Sequence, residues 1–102
     1  MKQIDRIKKM ESIYDGSRKA LDVMLEALEE YEKAQKDFRK LCDYYGSSLW
    51  MKDYEDDEAG KLPSDLKRGV LSEDLVYDLI REDRDLNARM LKIIYDRFTE
   101  GY

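Results

Sequence analysis

Histidine is absent from this chain, and cysteine, proline and tryptophan occur once each in 102 residues. Without histidine, both the usual general base and the commonest transition-metal ligand are missing. The lone thiol, Cys42, has no second cysteine with which to close a disulfide. No apolar run exceeds four residues, whereas a bilayer crossing takes about 20. The start of the chain (Met1, Lys2, Gln3, Ile4, Asp5) holds no signal-peptide core. A clustered basic face is also lacking. The 19 bases are interleaved with 24 acids for a net charge of -5, and phosphate backbones need positive charge gathered on one side. These absences predict a single-domain cytoplasmic protein with no cofactor, no nucleic-acid partner and no membrane contact.

What is abundant is helix-forming material. The charged fraction is 42 %, and Ala, Glu, Lys, Leu and Arg supply 46 of the 102 residues, close to the ~50 % typical of long helices and coiled coils. Apolar residues recur at alternating steps of three and four: Ile7, Met10, Tyr14, Leu21, Met24, Leu28, Tyr31, Phe38, Cys42, Tyr45. This is a heptad seam interrupted at Ser17 and Gln35. Ile13, Ala20, Ala27, Ala34 and Leu41 widen it into a stripe broad enough for a bundle. One helix is predicted over about 3–45. Gly16 is its weak point, yet the seam keeps phase across it, which a turn would have no reason to do.

The middle of the chain is punctuated by glycines. Gly46, Gly60 and Gly69 each stand where a helix can stop, and Ser47 or Ser48, Pro63 with Ser64, and Ser72 each stand where one can start. A short helix over about 49–59 and a helical turn over about 64–68 follow. The last helix, about 72–98, has Ser72 as N-cap, Glu73 and Asp74 in its first turn, and Leu71 placed to staple onto Val76. Asp83 falls on its apolar side, which predicts either a pairing with an arginine or a local irregularity. The expected architecture is all-α: a long antiparallel helical hairpin closed at one end by a compact cap.

Chemically suggestive residues are few. Cys42 lies on the seam, as a small core residue does. Glu26, Glu29 and Glu30, with Glu82 and Asp85, have the helical spacing by which all-α pyrophosphohydrolases hold magnesium, but such spacings arise freely among 24 acids. The acidic run Asp53, Glu55, Asp56, Asp57, Glu58 does not fit an EF-hand. With Gly60 as its sixth residue, position five is Ala59 and position twelve Leu66. Trp50 and Tyr54, four apart on one helix face, either anchor the short helix with Tyr44, Tyr45 and Tyr77 or stay exposed as a contact. The candidate interaction surface is therefore Trp50, Asp53, Tyr54, Asp57, Glu58, Lys67, Arg68 and Tyr77, with the acids facing Lys67 and Arg68 across a turn.

The segments Tyr44-Tyr45-Gly46-Ser47, Asp53-Tyr54-Glu55, Gly60-Lys61-Leu62-Pro63 and Asp65 to Asp74, with Trp50 and Tyr77-Asp78-Leu79, resemble a family of small bacterial proteins known only as a domain of unknown function. That resemblance implies a complete, bacterial, cytoplasmic chain of about 100 residues, and it implies no activity or ligand.

The function expected from these readings is a non-enzymatic protein–protein interaction or regulatory module using the 44–79 cap. The alternatives are a magnesium-dependent nucleotide hydrolase built on helix carboxylates, or an acidic mimic of nucleic acid. A last helix of ~27 residues, running back from Tyr45, covers the first helix only to about position 18. Ile4, Ile7, Met10, Ile13 and Tyr14 are left over, which predicts a homodimer through the N-terminal segment.

Overall fold

The heptad seam becomes one uninterrupted helix, α1 (Lys2–Tyr44), in the computed structural model, which describes residues 2–101. Gly16 lies inside α1, and a Cβ placed on it meets nothing within 4 Å. An interior glycine costs ~1 kcal/mol relative to alanine. Breaking the helix there would forfeit propagation and require a second unfavourable nucleation, so the continuous helix wins.

The stops and starts of the middle block are formed largely as local chemistry dictates. Gly46 takes φ 80°, a left-handed conformation open to glycine, just after α1 ends. Helix α2 (Ser48–Glu58) is capped by Ser47, whose Oγ accepts from the Trp50 N–H at 3.2 Å and donates to the Tyr44 carbonyl at 2.6 Å. At its other end the Gly60 N–H reaches the Asp57 carbonyl at 3.0 Å and the Lys61 N–H reaches Asp56 at 2.9 Å. This is the Schellman pattern that satisfies the last carbonyls of a helix.

One short element differs from expectation. The turn predicted over 64–68 carries a single backbone hydrogen bond, Leu66 N–H to Pro63 carbonyl at 3.2 Å, and the helical turn falls later, as a 3-10 helix at Gly69–Leu71. The reason lies in Arg68. Its guanidinium takes the carbonyls of both Leu66 and Pro63, the latter in addition to the Leu66 N–H, and so holds the segment as a loop. The last helix, α3 (Leu75–Glu100), begins later than expected, with Asp74 and not Ser72 at its N-cap; the Ser72 Oγ still accepts from the Leu75 N–H at 3.1 Å, and Gly101 ends the helix at φ 82°.

The chain divides into two compact units, 1–38 and 39–102. The first is a single stretch of α1 with no buried residue among those described. The second holds the core, which is small: Trp50, Leu71 and Val76 are 8, 7 and 3 % exposed. Leu71 and Val76, the two residues expected to form a staple, are both buried, so the entry into α3 is also where the core lies. Along most of both long helices the apolar residues stay exposed.

Candidate interaction surface

Trp50 organises the cap. The Ser47 cap fixes the first turn of α2, and that turn carries the indole into the second unit, where Nε1 donates to the Val70 carbonyl at 2.9 Å. Tyr45 meets the indole edge-on, with centroids 5.2 Å apart and planes at 71°, and Tyr54 stacks on it at 5.3 Å and 20°. Both arrangements are favoured by the ring quadrupoles. Phenols then tie the end of α1 and the middle of α2 to Glu73, which lies just before α3. The Tyr45 hydroxyl donates to the Glu73 carbonyl at 2.9 Å and the Tyr54 hydroxyl to a Glu73 carboxylate oxygen at 3.1 Å.

Trp50 therefore leaves the proposed contact surface. A buried indole whose only donor is already used has nothing left to offer a partner. The same holds in part for Asp57, whose carboxylate pairs with the Arg68 guanidinium and is mostly covered. Asp53 is engaged as well, accepting from the Tyr44 hydroxyl at 2.6 Å. Tyr77, expected near Tyr44 and Tyr45, is instead 56 % exposed, because the first turn of α3 directs Val76 inward and its neighbour outward.

The two adjacent cations separate. Arg68 joins the acidic run, and Asp56 takes Lys52 at 3.5 Å and Lys61 at 3.9 Å. Lys67 points elsewhere: with Leu41, Gly69, Val70, Leu75, Val76 and Leu79 it lines an open apolar cleft of about 390 Å³. Gly69 forms part of this wall, and a Cβ there would come within 3.1 Å of Leu75 Cδ1. Sequence reasoning missed Leu41, Val70, Leu75 and Leu79 as one surface. The four-residue step from Leu75 to Leu79 was the available signal, and it was absorbed into the general stripe of α3. Glu58 and Lys67 are exposed, so the surface that remains for a partner is Glu58, Lys67, Tyr77 and the cleft.

Hydrogen bonding tunes two phenols. Donation to the Asp53 carboxylate, with some burial, pushes Tyr44 up to about 12, and the Glu73 carboxylate raises Tyr54. The Tyr44 bond exists only while the phenol keeps its proton. Its folded value lies above the ordinary ~10, so its contribution is intact below pH 10 and is lost as pH rises through about 12. In an absorbance titration at 295 nm one late phenol step near pH 12 is expected. Tyr44→Phe should abolish that step, and its persistence in the variant would refute the assignment.

Burial pushes the Cys42 thiol up, and Asp43 and Asp83 push in the same direction, so the sulfur is held as a thiol and not as a nucleophilic thiolate. Asp83 is half-buried, and Asn87 Nδ2 donates to its carbonyl at 2.8 Å and to its carboxylate at 3.3 Å. The carboxylate on the apolar side of α3 thus takes an asparagine one turn on, where an arginine was expected. Among the described residues, no group of three or more His, Cys, Asp or Glu side chains is positioned to hold a metal ion, and no helix is long and apolar enough to cross a membrane.

Compared with known proteins, residues 7–93 match one family model, described as Domain of unknown function (DUF4298). No curated protein and no solved structure matches the chain.

Proposed function

The chain belongs to the DUF4298 family, and because that membership brings no activity with it, we propose from the chain's own residues that it is a non-enzymatic protein-binding module. In this reading it forms a homodimer through the Ile4, Ile7, Met10, Ile13 and Tyr14 face of α1 and presents the 44–79 cap to a protein partner. It would do so in the cytoplasm, where the single thiol stays reduced.

The supporting observation is the surface. Among the described residues three hydrophobic side chains are buried, while Ile4, Ile7, Met10, Ile13 and Tyr14 are 49 to 63 % exposed, and most other large apolar residues of both long helices are exposed as well. The chain exposes 9203 Å² for a mass of 12.2 kDa, where a folded monomer of that mass exposes roughly 6,000 Å². Exposed apolar surface on this scale marks protein contact sites.

Sedimentation equilibrium tests the reading. A mass near 24 kDa at tens of micromolar is expected, twice the 12.2 kDa of the chain, and a 12.2 kDa species at 100 µM would overturn the dimer. For the cap, the variant to compare in affinity capture is Lys67→Glu alone, since Arg68 is internal to the fold. A partner retained equally by wild type and by folded Lys67→Glu would count against the cleft.

A further inference from the structure

Resting on the self-association proposed above, we infer that the N-terminal halves of two α1 helices pair antiparallel, in the one register that sets Ile4 against the second copy's Leu25 and Glu11 against its Arg18.

The seam of α1 changes character along its length. From Tyr31 on, its members Tyr31, Gln35, Phe38, Cys42 and Tyr45 are half-buried, whereas Ile7, Met10, Tyr14, Leu21, Met24 and Leu28 are all exposed. Residue types and phase do not change at that point; only coverage does. A stripe that holds heptad phase over three repeats is built to meet another helix.

The flanks of the bare stretch decide which helix. One flank is Arg6, Ile13, Ala20 and Ala27, whose members pair as Arg6 with Ala27 and Ile13 with Ala20, and the other is Ile4, Glu11, Arg18 and Leu25. When two copies run antiparallel, each flank meets its own counterpart, so the second flank must be complementary to its own reverse. Read backwards it is Leu25, Arg18, Glu11, Ile4. Apolar then faces apolar at both ends, and two Glu11–Arg18 pairs form about the two-fold axis.

A slip of one heptad either way destroys this match. One slip places Glu11 against Glu11, and the other places Arg18 against Arg18 with Glu11 against Leu25. In the matched register Ile7 layers with Met24, Leu21 with Met10, and Ile13 on the first flank faces the small Ala20. Ser17, an interruption in a single helix, falls opposite Tyr14, where its hydroxyl has a polar neighbour. A parallel pairing satisfies Arg6 with Glu11 but sets Arg18 against Ile13 and Ser17 against Ser17.

Arg18 is free to take part. In the single chain its Nη2 holds Asp22 at 2.8 Å in an exposed pair one turn away, and a guanidinium has further donors for a second carboxylate. The area also suffices. The surplus surface of roughly 3,000 Å² per chain exceeds the ~800 Å² per partner of a standard interface.

The test is a charge swap read by sedimentation, with circular dichroism confirming unchanged helicity. Glu11→Lys and Arg18→Glu each put two like-charge contacts into the dimer and should each raise Kd about tenfold. The double variant Glu11→Lys/Arg18→Glu re-forms both pairs reversed and should return to within about threefold of wild type. A spin label at Asp5→Cys on a Cys42→Ser background adds geometry: the antiparallel register separates the two labels by about 30 Å along the axis, and a parallel pair leaves them level. If wild type is monomeric at 100 µM, self-association and register fall together. If it is a dimer in which the double variant stays as weak as Glu11→Lys, or the labels lie close, the register alone is overturned.

Discussion

Trp50→Ala is expected to melt the cap, with loss of amide protection across residues 45–80. The side chain is 8 % exposed, its Nε1 donates to the Val70 carbonyl, and both Tyr45 and Tyr54 pack on its ring. Truncating a buried tryptophan to alanine costs about 3–5 kcal/mol. A chain of this length has about 5–15 kcal/mol in total, and one with three buried residues has little packing elsewhere to absorb the loss. Trp50→Phe separates the contributions. It keeps a ring for the two tyrosines and leaves the Val70 carbonyl unpaired, which costs about 1–3 kcal/mol. Urea unfolding of the two variants beside wild type, with hydrogen exchange to locate the effect, measures both. Wild-type protection in Trp50→Ala would show that the stacking does not hold the cap together.

Leu21→Asp should abolish self-association while Val23→Asp leaves it unchanged. The two residues are equally exposed in the single chain, 60 and 58 %, so a monomer has no means of distinguishing them. Only Leu21 lies on the seam; Val23 is two residues round the helix, on the outer side. Each Leu21 buried in a dimer contributes about 2–3 kcal/mol, and two are lost per dimer. A Kd weaker by at least a thousandfold is the expected result for Leu21→Asp, with the wild-type value for Val23→Asp. Equal weakening of both, or of neither, would remove the seam from the interface. A second readout follows from helix physics. A bare amphipathic helix draws most of its stability from packing, so residues 2–30 of the monomeric variant should exchange their amides faster than in the dimer.

How much of this was legible in the sequence varies with the range of the interaction. The continuity of α1 through Gly16 was legible because phase conservation is a property of the stripe itself. The Ser47 cap, the Ser72 hydroxyl's bond to the start of α3, and the Gly46 and Gly60 stops were legible because each is settled within four or five residues, by hydrogen bonds and φ preferences the local chain contains. Placing the helical turn at 64–68 failed at the first longer-range contact. Arg68 reaches back five residues to the Pro63 carbonyl and eleven to Asp57, and nothing in Pro63-Ser64-Asp65-Leu66 records that competition.

The candidate surface divides in the same way. That the acids of α2 would meet cations was readable from charge, and that the aromatics would gather was readable from their spacing on α2. Which cation, and which aromatic, was not. Lys67 and Arg68 are neighbours with the same charge, and the path of residues 61–68 sends one to Asp57 and the other to the rim of an apolar cleft. Glu73 was read as a first-turn acid for α3, yet its carbonyl and its carboxylate are the acceptors for Tyr45 and Tyr54.

By itself, then, the sequence determined an all-α chain of a long, a short and a long helix, with nearly every boundary, because backbone hydrogen bonding and capping are local. The tertiary structure alone decided that Trp50 is core and not contact, that Arg68 and not Lys67 closes the acidic turn, and that the bare face of α1, expected from helix lengths as far as Tyr14, runs on to Leu28. Those outcomes depend on where segments eleven, twenty or more residues apart come to rest, and burial, unlike capping, is a property of the whole chain.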